Sequence, residues 1–247
     1  MTSMLVTRLR MPRDHSGEWP FTLAPIAHLV DGVELTAPVT FLVGENGSGK
    51  STIVEAIADV CRINSEGGKA GTKYASTGPA TPLGEVLDAE LTSAGVRLVH
   101  GPRLKRRAFF LRAETLFNLA RSVSGKYGFW DDDLTEQSHG EGFFTVLDRM
   151  VAGPGLYLMD EPEAALSFNS CLRLLSLMDR VVTQGGQIIC ATHSPILASL
   201  PGAQILELGD HGIRTTEWDK LQLVDHWRRY LAKPDFYLRY ALDRDTD

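Results

Sequence analysis

Apolar and polar positions along this chain switch between two periods, one of strands and one of helices. Residues 4–10 (MLVTRLR) alternate as a first strand, and residues 39–43 (VTFLV) are nearly continuous in apolar character, as in a strand covered on both faces. Glycine follows at once, and residues 51–62 then place Ile53, Val54, Ile57, Val60 and Cys61 at helical spacing. Strand, glycine-rich loop and helix therefore occur in that order. Gly67, Gly68, Gly71, Gly78, Pro79, Pro82 and Gly84 make residues 64–84 a loop-rich arm with short hairpin strands. Residues 83–91 read as a short helix, and 96–99 and 108–111 as strands.

Further on, residues 113–123 gather Leu116, Phe117, Leu119, Ala120 and Val123 on one helical face. After a loop over 124–137, Ser138 and Glu141 have the spacing of a capping box ahead of Phe143, Phe144 and Leu147. Residues 156–159 (LYLM) form a second strand of the fully buried type, ending in Asp160 and Glu161. A long amphipathic helix over 168–182 turns at Gly185 and Gly186 into a strand over 187–191. Ser194 and Pro195 open a short helix, 203–208 and 213–216 form a hairpin, and helices over 221–231 and 236–242 flank Pro234. Strands alternating with helices predict an α/β fold with a mainly parallel, covered sheet.

The length of 247 residues corresponds to about 1.6 domains at ~150 residues each. We read it as one domain over 1–247, with a helical insertion at about 113–150 and C-terminal helices at about 220–242. With 43% hydrophobic and 23% charged residues, a disordered chain or a fibre is excluded. Cys61, Cys171 and Cys190 are widely spaced, which fits neither a disulfide framework nor a zinc site. A net charge of -6 disfavours constitutive binding to nucleic acid or an anionic membrane. No apolar run approaches the ~20 residues of a membrane span. The expectation is a cytoplasmic protein without direct membrane insertion.

Gly44, Glu45, Asn46, Gly47, Ser48, Gly49, Lys50 and Ser51 match G-x-x-x-x-G-K-[ST] in full, and Thr52 continues into the helix. A chance match in a chain this long has a probability on the order of one per cent. The flanking strand and helix supply the context this phosphate-binding loop needs. Its glycines let backbone N–H groups turn inward around an anion, and the helix N-terminus adds positive potential. Lys50 is a mobile point charge for β- and γ-phosphates, and the Ser51 hydroxyl suits Mg²⁺. Asp160 and Glu161 are the matching acids: Asp160 to hold Mg²⁺, Glu161 to orient or deprotonate water.

With these residues in place, LYLMDEP resembles the Walker B segment of ABC-type ATPases. Ala165-Leu166-Ser167 resembles their D-loop, and Thr192-His193-Ser194-Pro195 their switch-histidine segment. The fullest resemblance is to small stand-alone ATPases of the ABC/SMC-like branch of the AAA superfamily. GENGSGKST, FFLRAE, EQSHGE, DEPEAALS and ATHSPIL carry it, and it runs over roughly residues 5–242.

The resemblance implies a P-loop NTPase fold of ABC-ATPase type, with a β-rich arm and a helical signature subdomain. It implies ATP and Mg²⁺ as ligands, and an ATP-dependent head-to-tail homodimer. In that pairing Ser138 and Gly140 take the place of the signature motif, the hydroxyl reaching a γ-phosphate and the glycine admitting close backbone approach. His193 takes the place of the γ-phosphate sensor. The chain also departs from the pattern: Phe168 or Asn169 stands where the D-loop has aspartate. The glutamine that usually enters the helical insertion is missing, leaving Glu114, as a metal- or water-linked acid, or Arg112, free to pair with an acid. Trp19 and Phe21 are candidates for stacking on adenine.

Three functions are compatible with these residues. The first is an ATPase acting as a nucleotide-dependent dimerisation switch. The second is the ATP-binding subunit of an ABC transporter. The third is an ATP-gated regulatory or defence module meeting DNA or an effector protein through the basic run of Arg103, Lys105, Arg106 and Arg107.

Overall fold

The structure, a computed structural model, describes residues 4–14, 17–63, 68–69, 79–102, 107–112, 144, 147, 151, 153–164 and 166–242. Its centre is a seven-stranded sheet in the order β10-β9-β3-β8-β7-β6-β4. These strands are β3 (Val39–Gly44), β4 (Gly68–Lys69), β6 (Ala108–Arg112), β7 (Leu156–Asp160), β8 (Gln187–Thr192), β9 (Gln204–Gly209) and β10 (Gly212–Thr216). β9, β3, β8, β7 and β6 run parallel, and β10 and β4 close the edges antiparallel. The expected mainly parallel α/β sheet is therefore present.

The continuous apolar runs have the reason the sequence suggested. Leu42, Phe110, Leu158, Ile189 and Leu206 point to one face, and Phe41, Phe109, Met159, Cys190 and Ile205 to the other. On the first face lie α1 (Ala24–His28), α2 (Lys50–Val60) and a three-stranded antiparallel sheet. That sheet has the order β2-β1-β5, from β1 (Val6–Arg10), β2 (Val33–Glu34) and β5 (Asp88–Leu91). On the second lies α3 (Phe168–Thr183), through Leu174, Leu177, Met178 and Val181. Phe144 and Leu147 join that second cluster, and the Arg173 guanidinium stacks 4.2 Å from the Phe144 ring centroid. The C-terminal helices are α4 (Gln222–Ala232) and α5 (Pro234–Ala241).

Two buried glutamines fasten the small sheet to the large one. Gln187, at the start of β8, accepts from the Leu5 and Val6 N–H groups at 2.8 Å each and donates to the Val6 carbonyl at 2.8 Å. Gln204, at the start of β9, accepts from the Thr36 N–H and donates to the Glu34 carbonyl, both at 2.9 Å.

Three local expectations are corrected. Residues 83–91 are not a helix: a turn at Leu83 leads into β5, which pairs antiparallel with β1. Residues 96–99 are not a strand but part of a helical turn, Val96–His100. The reason is an N-cap: the Thr92 side chain accepts from the Gly95 N–H at 3.1 Å and outweighs the β-branched valines. Gly95 also lies against the Leu5 carbonyl, where a Cβ would stand 2.1 Å from the oxygen. The helix expected after Pro195 is a single tight turn, Leu197–Ser199, whose first N–H donates to the Ser194 hydroxyl at 3.3 Å. Within the expected β-rich arm, the described strand is β4, paired with Phe109 and Phe110.

Candidate functional site

In open α/β sheets, ligands bind at the carboxyl ends of the parallel strands. Here the register sets those ends side by side. Arg112 pairs with Asp160, Asp160 with Ala191, and Val43 with Thr192. Four neighbouring strands therefore deliver the phosphate loop, Arg112, Asp160–Glu161 and Thr192–His193 to one edge.

The loop leaves β3 at Gly44, exposes Glu45, Asn46 and Gly47, and turns back into the core at Gly49 and Lys50. Gly47 and Gly49 have φ of 80° and 92°, a left-handed conformation open to glycine at little cost. Gly49 is the residue before α2, so the first N–H groups of that helix face into the loop. Lys50 is 3% exposed, and its ammonium folds over the loop to the Gly44 and Glu45 carbonyls at 2.9 Å each. Those bonds use two of its three donors. Burial pushes the Lys50 pKa down, while Glu161, Asp160, Glu163 and Glu45 pull it back up.

Asp160 is 7% exposed, and its Oδ1 accepts from the Ser51 hydroxyl at 2.9 Å. Burial raises its pKa, against the Ser51 hydrogen bond and the Arg112 charge. Arg112 stands 3.7 Å from Asp160 Oδ2 and forms a 2.8 Å ion pair with Glu55 of α2. Arg112 thus stands paired with acids, as one of the two expectations for this region has it. Glu114 lies outside the described residues.

Glu161 holds a left-handed backbone, φ 46°, and its N–H donates to the Ala191 carbonyl at 3.0 Å. Such a conformation in a non-glycine residue costs energy and gathers at functional sites. The Glu161 carboxylate, 41% exposed, lines the smaller of the site's two clefts together with Asn46, Gly47, Gly49 and Lys50 of the loop. His193 Nε2 lies 3.1 Å from Glu161 Oε1 without an aligned hydrogen bond. Beside it Glu163 accepts from the Thr192 hydroxyl and the His193 N–H at 2.6 Å each. A cleft of about 820 Å³ opens over Gly44, Asn46, Ser48, Glu161, His193 and Glu207. A smaller one of about 170 Å³ runs from Lys50, Ser51 and Thr52 to Trp19. Of the two aromatic candidates, Phe21 is buried in the core, and Trp19 is exposed at the edge of that cleft.

The residues present fit an anion and a hard cation side by side. The loop supplies inward N–H groups, Lys50 and a buried Ser48 hydroxyl that has no partner among the described residues. Ser51 and Asp160 supply two hard oxygen donors 2.9 Å apart, the sparse protein set that suits Mg²⁺ sharing its shell with phosphate and water.

A family model described as an AAA domain matches residues 25–81, which contain the loop and α2. The cytochrome c biogenesis ATP-binding export protein CcmA of Maricaulis maris is 29% identical over 175 residues, 68% of this chain and 78% of that one. The fructose import ATP-binding protein FruK of Bifidobacterium longum is 30% identical over 186 residues, 68% of this chain and 36% of that one. The chain is similar to AAA-domain and ABC-type ATP-binding proteins. A solved structure described as a metal-chelate-type ABC transporter, in an inward-facing conformation, has a TM-score of 0.50 at 13% identity. It covers 93% of this chain and 90% of that one, and speaks to the fold.

Measured against the ABC-type pattern, the structure brings Gly44 through Thr52, Asp160, Glu161 and His193 together at one edge. Ser138 and Gly140 lie outside the described residues, as do Ala165 of the D-loop segment and Arg103, Lys105 and Arg106 of the basic run. Glu55 and Glu163 carried no assigned part in the sequence reading. Glu55 stands one helical turn after Ser51, on the same face, which is the signal that finds it. Glu163 is a third acid within four residues, beside a strand that ends in threonine and histidine.

Proposed function

We propose that this chain binds ATP with Mg²⁺ and hydrolyses it, and that nucleotide occupancy switches two copies into a head-to-tail pair. The observation that carries the reading is the Ser51–Asp160 contact of 2.9 Å, with Glu161 and His193 next to it on adjacent strand ends. In this reading the triphosphate lies along Gly44 to Thr52, its charge met by loop N–H groups and Lys50. Ser51 and Asp160 would hold the cation, which would supply charge neutralisation to the phosphates. Glu161 orients a water in line with the γ-phosphorus and accepts its proton. As the new P–O bond forms, the bond to the β–γ bridging oxygen breaks, releasing ADP and phosphate. His193 Nε2 donates to a γ-oxygen, stabilising charge that grows in the transition state. Ser138 and Gly140 of the second copy close the site, and Trp19 stacks on the base.

The experiment is phosphate release from ATP by the full chain, with Mg²⁺ and with excess chelator. Steady release that stops on chelation is the expected result. No release together with no calorimetric nucleotide binding would overturn the reading.

The names of CcmA and FruK, an export and an import ATP-binding protein, favour a second reading. In it the same chemistry drives a separate membrane subunit. Among the described residues, no helix is long and apolar enough to cross a membrane. Co-purification of a polytopic membrane protein from native extract, retained through gel filtration, would select this reading over the stand-alone switch.

A further inference from the structure

We propose that Glu163 is a positioning residue for His193: its carboxylate fixes the backbone from which the imidazole reaches the reacting phosphate. The inference rests on the part given to His193 above and extends it to a residue that lines neither cleft.

The sheet ladder creates the need. Thr192 is the last residue of β8 and registers with Val43, so the His193 N–H falls beyond the parallel ladder. Glu163 Oε1 accepts that N–H at 2.6 Å. The same oxygen accepts from the Thr192 hydroxyl at 2.6 Å, and that hydroxyl in turn accepts from the Ser194 N–H at 2.9 Å. Three consecutive residues, Thr192, His193 and Ser194, thus trace to one carboxylate oxygen. A charged acceptor makes such bonds shorter and stronger than a neutral one. Glu163 Oε2 is buried without a partner among the described residues, so the hold runs through Oε1 alone.

Glu163 is itself anchored next to the reacting groups. It sits in the turn after β7, where the Ala164 N–H donates to the Glu161 carbonyl at 3.0 Å and the Leu166 N–H to the Glu163 carbonyl at 2.9 Å. The turn that carries Glu161 and the loop that carries His193 are therefore joined twice. One link is the Glu161 N–H on the Ala191 carbonyl, and the other is this side chain. If the turn shifts, the histidine shifts with it.

The test is a double-mutant cycle on the full chain. Turnover and KM for ATP are measured for Glu163→Ala, Glu163→Gln and Thr192→Val, alone and combined with His193→Ala. Glu163→Ala is expected to lower kcat by about 10–100-fold, the size of a misplaced reacting group, with KM within about threefold. Glutamine keeps one acceptor and falls between. In the His193→Ala background the Glu163 and Thr192 substitutions should cost nothing more. An equal fold loss with and without His193, or an unchanged kcat in Glu163→Ala, overturns the proposal. If Glu163→Ala does not fold, Glu163→Gln and Thr192→Val carry the cycle. A second readout does not depend on turnover: the His193 amide proton resonance. It should lie far downfield in the wild-type chain and move upfield in Glu163→Gln. No movement overturns the proposal. A chain that hydrolyses no ATP but shows the movement keeps the proposal and loses the ATPase reading.

Discussion

The two ends of the same strands are built to different standards. At the amino ends, Gln187 and Gln204 fasten the small sheet with their amides bonded to backbone on both sides. At the carboxyl ends, polar groups are crowded and incompletely matched. Ser48 Oγ, Glu163 Oε2 and His193 Nε2 are buried without an aligned partner among the described residues, Lys50 is a buried cation, and Glu161 holds a left-handed backbone. β8 shows both in one strand, a glutamine bonded through both its amide oxygen and its nitrogen at the start and a threonine leading into His193 at the end. A fully bonded polar group holds structure together, whereas an unmatched one is a standing offer to a ligand.

The contrast is sharpest if the two ends fail differently when altered. Lys50→Met should give the largest effect, a fall in phosphate release of about 10²–10³-fold, as for loss of one preorganised charge donor. Its melting temperature should hold or rise, because a buried ammonium carries a desolvation cost. A large drop in melting temperature would make Lys50 a structural residue and erase the contrast. Gln187→Leu should do the reverse. It orphans the Leu5 and Val6 N–H groups and the Val6 carbonyl, a loss of about 3 kcal/mol read from denaturant midpoints. Turnover per folded molecule should not change.

The smallest effect is one of pH. Burial raises the Glu163 pKa above its ordinary value, against the bonds from Thr192 and His193. The sign follows from proton linkage: a raised native pKa means that the folded state holds the proton more tightly than the unfolded one. That contribution is complete below the unfolded value of 4.5 and is lost as pH rises through the native value. Glu163→Gln fixes the neutral form, so its melting temperature relative to wild type should rise from acid toward neutral pH. A flat difference would mean that burial leaves this carboxyl unshifted.

The central sheet was legible in the sequence because strands covered on both faces must be apolar throughout, as β3 and β7 are. The phosphate loop was legible because its chemistry demands glycine and lysine at fixed spacing. Residues 96–99 were misread because a single capping threonine and one glycine against Leu5 outweigh local propensity there, and residues 83–91 because β5 takes its conformation from pairing with the distant β1. The five-residue α1 was missed, being too short for a period to show. The anchoring parts of Gln187 and Gln204 depend on which strand ends lie side by side. Register decides that, and no local pattern reports it.

In the proposed function, the carboxyl edge of the sheet is an ATP-hydrolysing switch completed by a second copy. Light scattering on Glu161→Gln, with and without MgATP, tests it most directly. The substitution keeps every group assigned to binding and removes the group assigned to the attacking water. Tight MgATP binding, no phosphate release and a doubling of molar mass on addition of the nucleotide are the expected results. An unchanged mass with turnover equal to the wild-type chain would contradict the proposed function.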